Sequence, residues 1–92
     1  MADASATELI ARYREAAEQT ADPEQLVATQ AAHDAHELYK QLRETAEGRA
    51  GLTALMYDAH PQVRRWAATH CLTWRRETAR AVLNELNRGS PS

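Results

Sequence analysis

The 92-residue chain predicts an all-α fold, and three observations carry that expectation. No stretch alternates Val, Ile or Thr with polar residues, and no Asn-Gly or Asp-Gly pair offers a hairpin turn. Apolar residues instead recur at spacings of three and four behind helix-start signals. Alanine supplies 19 of the 40 hydrophobic residues and phenylalanine is absent. Small side chains let helix axes approach closely, which partly offsets a core of only about 20 large apolar residues. The expected architecture is a compact bundle of four to five antiparallel helices.

The first helix is expected to begin at Ser5, because Ser5 and Glu8 have the spacing of a capping box. Its stripe is Leu9, Ile10, Tyr13, Ala16 and Ala17, running to about Thr20. Asp22 and Pro23 then read as N-cap and first residue of a long second helix, since proline has no amide to leave unbonded. Its stripe of Val27, Ala31, Ala35, Leu38, Leu42 and Ala46 is expected to reach about Glu47, with Gly48 as the stop. Beyond a Gly48–Gly51 break, Leu52, Leu55 and Met56 suggest a short third helix. Asp58-Ala59-His60-Pro61 turns the chain, with His60 as a turn or capping residue. A fourth helix follows, with Val63, Ala67, His70, Cys71 and Trp74 on one broad face. Arg75 and Arg76 are placed near its C-terminal end, where cations are favoured. The fifth helix, about Glu77 to Asn87, presents Ala79, Val82, Leu83 and Leu86 on a narrow stripe. The whole chain, 1–92, reads as one domain with an ordered core at about 6–87 and a frayed tail at 88–92. The expected core is Leu9, Tyr13, Leu38, Leu42, Leu55, Val63, Trp66, Leu83 and Leu86.

Composition narrows the functional classes. The balance of 43% hydrophobic and 26% charged residues is that of a globular chain, and no apolar run is long enough to span a bilayer. The opening residues carry an acid and no basic segment, unlike a secretory signal. The single cysteine, Cys71, excludes an internal disulfide and fits a reducing cytoplasm. Net charge is −2 but divides unevenly. Residues 1–46 hold nine acids against four bases, while residues 47–92 hold four acids against seven arginines. Such a dipole can steer a charged partner.

At residues 52–86 the run LTALMYDAHPQVRRWAATHCL followed by ETARAVLNEL resembles a HEAT-type helical repeat. An aspartate closes the first helix, a His-Pro turn follows, and the next helix opens with Val63-Arg64 and carries Ala67-Ala68. The resemblance implies that Asp58 and Arg64 are a structural pair holding the hairpin turn, and that the alanines are close-packing points. More narrowly, the ELIARY opening, Leu38-Tyr39 and HPQVR resemble a small bacterial family of single-domain HEAT-like proteins of uncharacterised function. Arg76 stands where such sequences often place proline. A solenoid needs three or more repeats, so one HEAT-like unit implies a hairpin inside a compact bundle.

Candidate chemistry is sparse. His33, His36 and Glu37 form an HxxH arrangement, yet a zinc site needs three or four ligands with second-shell support. His70 and Cys71 are adjacent on a helix, so their side chains diverge by about 100° and make a poor nucleophile–base pair. No catalytic, cofactor or metal residue is assigned, and no enzyme activity is expected. Trp66, His70 and Trp74 recur every four residues as an aromatic stripe that either packs on the second helix or anchors a partner. The candidate partner surface is Trp66 and Trp74 with Arg65, Arg75 and Arg76 as a rim, together with Asp34 and Glu37 on the acidic half. The leading expectation is a cytoplasmic, non-enzymatic protein-binding or regulatory domain. In its immunity-type version, Asp34, Glu37 and Glu44 cover a partner's basic site. A homodimer that buries leftover apolar surface is compatible with the thin core. Nucleic-acid binding by Arg64, Arg65, Arg75, Arg76, Arg80 and Arg88 is the alternative. It is less favoured because lysine is nearly absent and the other half is acidic.

Overall fold

The computed structural model describes residues 5–89 and contains five helices, with no strand among them. These are α1 (Ala6–Gln19), α2 (Gln25–Leu42), α3 (Ala46–Leu55), α4 (Pro61–Cys71) and α5 (Arg76–Gly89). The all-α reading therefore holds. Ser90, Pro91 and Ser92, read as a frayed tail, lie outside the described residues; Arg88 and Gly89 belong to α5.

Local chemistry sets each start. The Ser5 hydroxyl accepts from the Glu8 amide at 3.2 Å, capping α1. Only half of the capping box forms, because the Glu8 carboxylate pairs with Arg12 at 3.1 Å. At α4, His60 is the N-cap, its Nδ1 accepting from the Gln62 amide at 3.2 Å with Pro61 behind it. The expected capping role of His60 is what forms.

Three boundaries differ from the sequence expectation. Asp22 does not cap α2. Its Oδ1 instead accepts from the Glu24 amide at 2.8 Å, closing a turn around Pro23, and the helix starts at Gln25. The long second helix ends at Leu42 rather than at Gly48, because Thr45 caps a new helix by accepting from the Gly48 amide at 3.0 Å. The glycines are thus not a break but the first turns of α3. A Cβ on Gly48 would run into the Leu42 carbonyl, and one on Gly51 would lie 2.6 Å from Ile10 Cγ1. Glycine is required at position 48 so that α3 can fold tightly back on α2, where the obstacle is main chain. At Gly51 the neighbour is the movable Ile10 side chain of α1. Finally, α4 ends at Cys71, so Arg75 lies in the connection and Arg76 opens α5. The expected stabilisation of these cations by a helix C-terminus is lost; Arg76 sits at the opposite pole, beside Glu77.

The core sits where α1, α3 and α4 meet beneath α2. Tyr13, Leu42, Leu52, Met56, Val63 and Cys71 are fully buried, accompanied by Ala16, Ala17, Ala35, Ala67, Ala68 and Ala79. Leu9, Leu38, Trp66 and Leu83 from the expected core are only partly buried against it, and Leu86 is half-buried outside it. Leu52, Met56 and Cys71 take the central positions instead. The helices are not equally supported. α1 packs on α2, α3 and α4, whereas α5 packs on α4 and hardly elsewhere. The result is a slab of 49 × 33 × 19 Å.

Candidate functional site

Two features stand out above the core: an aromatic junction joining α1, α2 and α4, and a pair of surface grooves. At the junction, His70 is held from several directions. Its ring stacks on Tyr39 at 3.9 Å between centroids with a 4° interplanar angle, and Trp66 tilts against it at 5.6 Å. Tyr13 is fully buried, and its hydroxyl has His70 Nδ1, 2.6 Å away, as its partner. A buried hydroxyl must place its proton on an acceptor, so we assign Tyr13 as donor and the His70 proton to Nε2. Burial, aided by the charge of nearby His36, pushes His70 down to about 4, so it is neutral near pH 7. Burial likewise raises Tyr13, with Cys71 and Tyr39 adding to the effect.

This arrangement resolves the aromatic stripe. Trp74 stacks toward Tyr39 of α2 at 6.4 Å, and its Nε1 donates to the Thr53 hydroxyl at 3.0 Å. That hydroxyl in turn donates to the Arg49 carbonyl at 2.8 Å, so Trp74 is tied inward rather than presented to a partner. Trp66 is half-buried against the core. Both rings reach toward α2 through His70 and Tyr39. Tyr39 is further covered by the Arg43 guanidinium, 5.4 Å from its centroid.

The HxxH pair is divided. His36 is exposed, but its ring lies 6.0 Å from both His70 and Tyr39, at the rim of the junction. Among the described residues, no three His, Cys, Asp or Glu side chains converge as metal ligands do. Cys71 is buried and its thiol is pushed up to about 11 by that burial.

Asp58 and Arg64 do not meet through their side chains. The Asp58 carboxylate takes a two-pronged contact from Arg14, at 2.8 and 3.0 Å, and accepts from the His60 amide at 2.9 Å. The hydrogen bond from Arg14 is the main reason its carboxyl lies below the usual range. Arg64 donates instead to the Asp58 carbonyl at 2.8 Å. Both residues secure the α3–α4 turn, but the carboxylate's cation comes from α1. Sequence spacing could not reveal Arg14, which lies 44 residues away.

The first groove, of about 440 Å³, lies between α1 and α2. Glu15, Asp34 and Glu37 line it together with Ala16, Leu38 and one cation, Arg12. Glu37 is paired with Lys40 at 2.7 Å, which holds its carboxyl below the usual range, and Asp34 accepts from Gln30 at 2.9 Å. Two residues of the expected acidic surface are therefore brought together, with Glu15 added from α1. Glu44 is exposed beyond Leu42, outside this groove. The second groove, of about 630 Å³, lies at the junction of α4 and α5 and is lined by Leu72, Glu77, Arg80, Ala81, Leu83 and Asn84.

Charge pairing separates the two halves sharply. Arg12, Arg14, Lys40 and Arg43 each have a carboxylate within 4.0 Å. Among the described residues, Arg49, Arg64, Arg65, Arg75, Arg76, Arg80 and Arg88 form no such ion pair. Arg65, Arg75 and Arg76, the expected rim, are all exposed. No helix of the described residues is long and apolar enough to cross a membrane. A search against family models, curated proteins and solved structures finds no match to this chain.

Proposed function

We propose that the chain is a non-enzymatic, cytoplasmic protein-binding domain of regulatory or immunity type, which receives a basic helical segment of its partner in the α1–α2 groove. The observation that carries this reading is the groove itself: three carboxylates, Glu15, Asp34 and Glu37, outnumber its one cation, Arg12, and Ala16 and Leu38 add apolar surface. A helix bearing arginine or lysine beside a leucine-sized side chain is complementary to such a surface, and opposite charges across it would speed encounter and set register. The HEAT-like reading of the α3–α4 hairpin belongs to the same proposal, with the hairpin as scaffold and α1–α2 as the recognition face.

The test is capture from a producing cell's lysate at low salt, followed by titration of the recovered protein against the wild type and an Asp34→Asn, Glu37→Gln double variant. We expect the variant to bind at least about tenfold more weakly, and wild-type affinity to fall with added salt. Equal binding by both proteins would remove the groove from the reading, and an empty capture would remove the function.

A second reading rests on the arginines of α4 and α5 that lack ion pairs. Such cations suit a nucleic-acid backbone, whose binding should weaken steeply with salt as counterions are released. Random-sequence DNA titrated at low and moderate salt decides it; no binding at low salt dismisses it.

A further inference from the structure

The α1–α2 groove and one face of α5 carry charges of opposite excess. On α5, Arg76, Arg80 and Leu83 follow at spacings of four and three, so they share one face of the helix. Arg76 and Arg80 are exposed, and neither forms an ion pair among the described residues. Leu83 is only half-buried, because α5 has α4 on one side and little on the other. This face carries two cations against one acid, Glu77, with a leucine one turn beyond Arg80. The α1–α2 groove offers a net-acidic counterpart: Leu38 and Ala16 with Glu15, Asp34 and Glu37 against a single cation, Arg12, which is itself paired with Glu8. Within one chain α5 packs on α4 and hardly elsewhere, so it does not occupy the groove of its own chain.

We propose that a second copy of this chain is an occupant of the α1–α2 groove, entering with the Arg76–Arg80–Leu83 face of its α5. The inference rests on the groove being a helix-binding surface and names one helix that fits it. Because the joined surfaces differ, the contact is heterologous: each copy uses its groove on one neighbour and its α5 on another. A partner protein in the groove then displaces the second copy, which couples assembly to partner binding.

The experiment is sedimentation equilibrium of the whole chain over a wide concentration range, at low salt and at about 0.5 M salt, where charge attraction is screened. Average mass should rise with concentration at low salt and return to that of one chain at high salt. Two neutralised proteins are then compared: Asp34→Asn with Glu37→Gln, and Arg76→Gln with Arg80→Gln. All four side chains are exposed, so circular dichroism should match the wild type. Each variant should lose self-association by at least about tenfold. Mixed in equal amounts, they should form a two-chain complex and nothing larger, because one supplies an intact α5 and the other an intact groove. A wild type monomeric throughout at low salt overturns the proposal, as does a mixture that stays monomeric or variants that assemble as the wild type does. A monomer whose Arg76 and Arg80 instead bind random-sequence DNA overturns it in favour of nucleic acid. A wild type that stays monomeric yet binds its partner through the groove would leave the groove reading standing and remove only the second copy.

Discussion

The junction of α1, α2 and α4 and the outer helix α5 are built from similar residues to opposite ends. At the junction, Tyr13, Tyr39, Trp66, His70 and Trp74 interlock, and the one buried hydroxyl has its acceptor. On α5 the apolar stripe is as regular, yet only Ala79 is fully buried while Val82, Leu83 and Leu86 stay half-covered. The N-terminal half also neutralises its own cations, whereas α4 and α5 do not. A stripe marks what a helix can bury, but the number of neighbours determines how much it does bury. Stability should therefore concentrate at the junction and core, and recognition at the flanks.

The largest expected effect opposes two leucines. Leu52→Ala, at a fully buried position, should cost about 3 kcal/mol, and Leu86→Ala on α5 about 1 kcal/mol or less. Urea denaturation of both variants checks it, and equal losses would abolish the contrast. Next come the glycines of α3. Gly48→Ala should cost about 2 kcal/mol, since the new Cβ meets main chain at Leu42 that cannot give way. Gly51→Ala should be nearly neutral, because Ile10 can swing aside and alanine favours the helix by about 1 kcal/mol. Thermal melts of the pair decide whether the α2–α3 turn is as tight as described.

His70 makes the junction sensitive to acid. In the unfolded chain it takes a proton near its ordinary 6.5, whereas in the fold it resists until about 4. The unfolded state thus binds more protons between those values, so stability should be full above pH 6.5 and decline as pH falls to 4. With solvent still reaching part of the ring, about 2 kcal/mol is at stake. Denaturation of the wild type and a His70→Gln variant across that range should show the slope only in the wild type. A smaller loss than at His70 is expected at the α3–α4 turn. Asp58→Asn should cost about 1 kcal/mol at neutral pH by losing the charge in its contact with Arg14. Because the Asp58 carboxyl is held below its usual range, the difference from wild type should vanish in strong acid. A melt at each pH measures it.

Much of the helical pattern was legible in the chain itself. Ser5 and His60-Pro61 are local signals, and they cap α1 and α4 as read. The failures share a cause. Gly48 reads as a stop and Asp22 as a cap because each has that local preference, but tertiary contacts decide which local option is used. Thr45 offered an equally good start for α3, and the close return of α3 on Leu42 is one that only a glycine at position 48 could allow. The candidate site was legible in part. Asp34 and Glu37 share a groove, as three-residue spacing allows, whereas Glu15 joins them only because α1 and α2 pack side by side.

The sequence alone determined that this protein is helical, where most of its turns fall, and that its charge is split between its halves. Periodicity, caps and composition act over a few residues and need no knowledge of the rest. Only the tertiary structure decided that His70 is gripped by Tyr13 and Tyr39, that Asp58 belongs to Arg14, and that α5 is left half-covered. Those are meetings of residues distant along the chain, set by how helices pack in space, and no local preference encodes them.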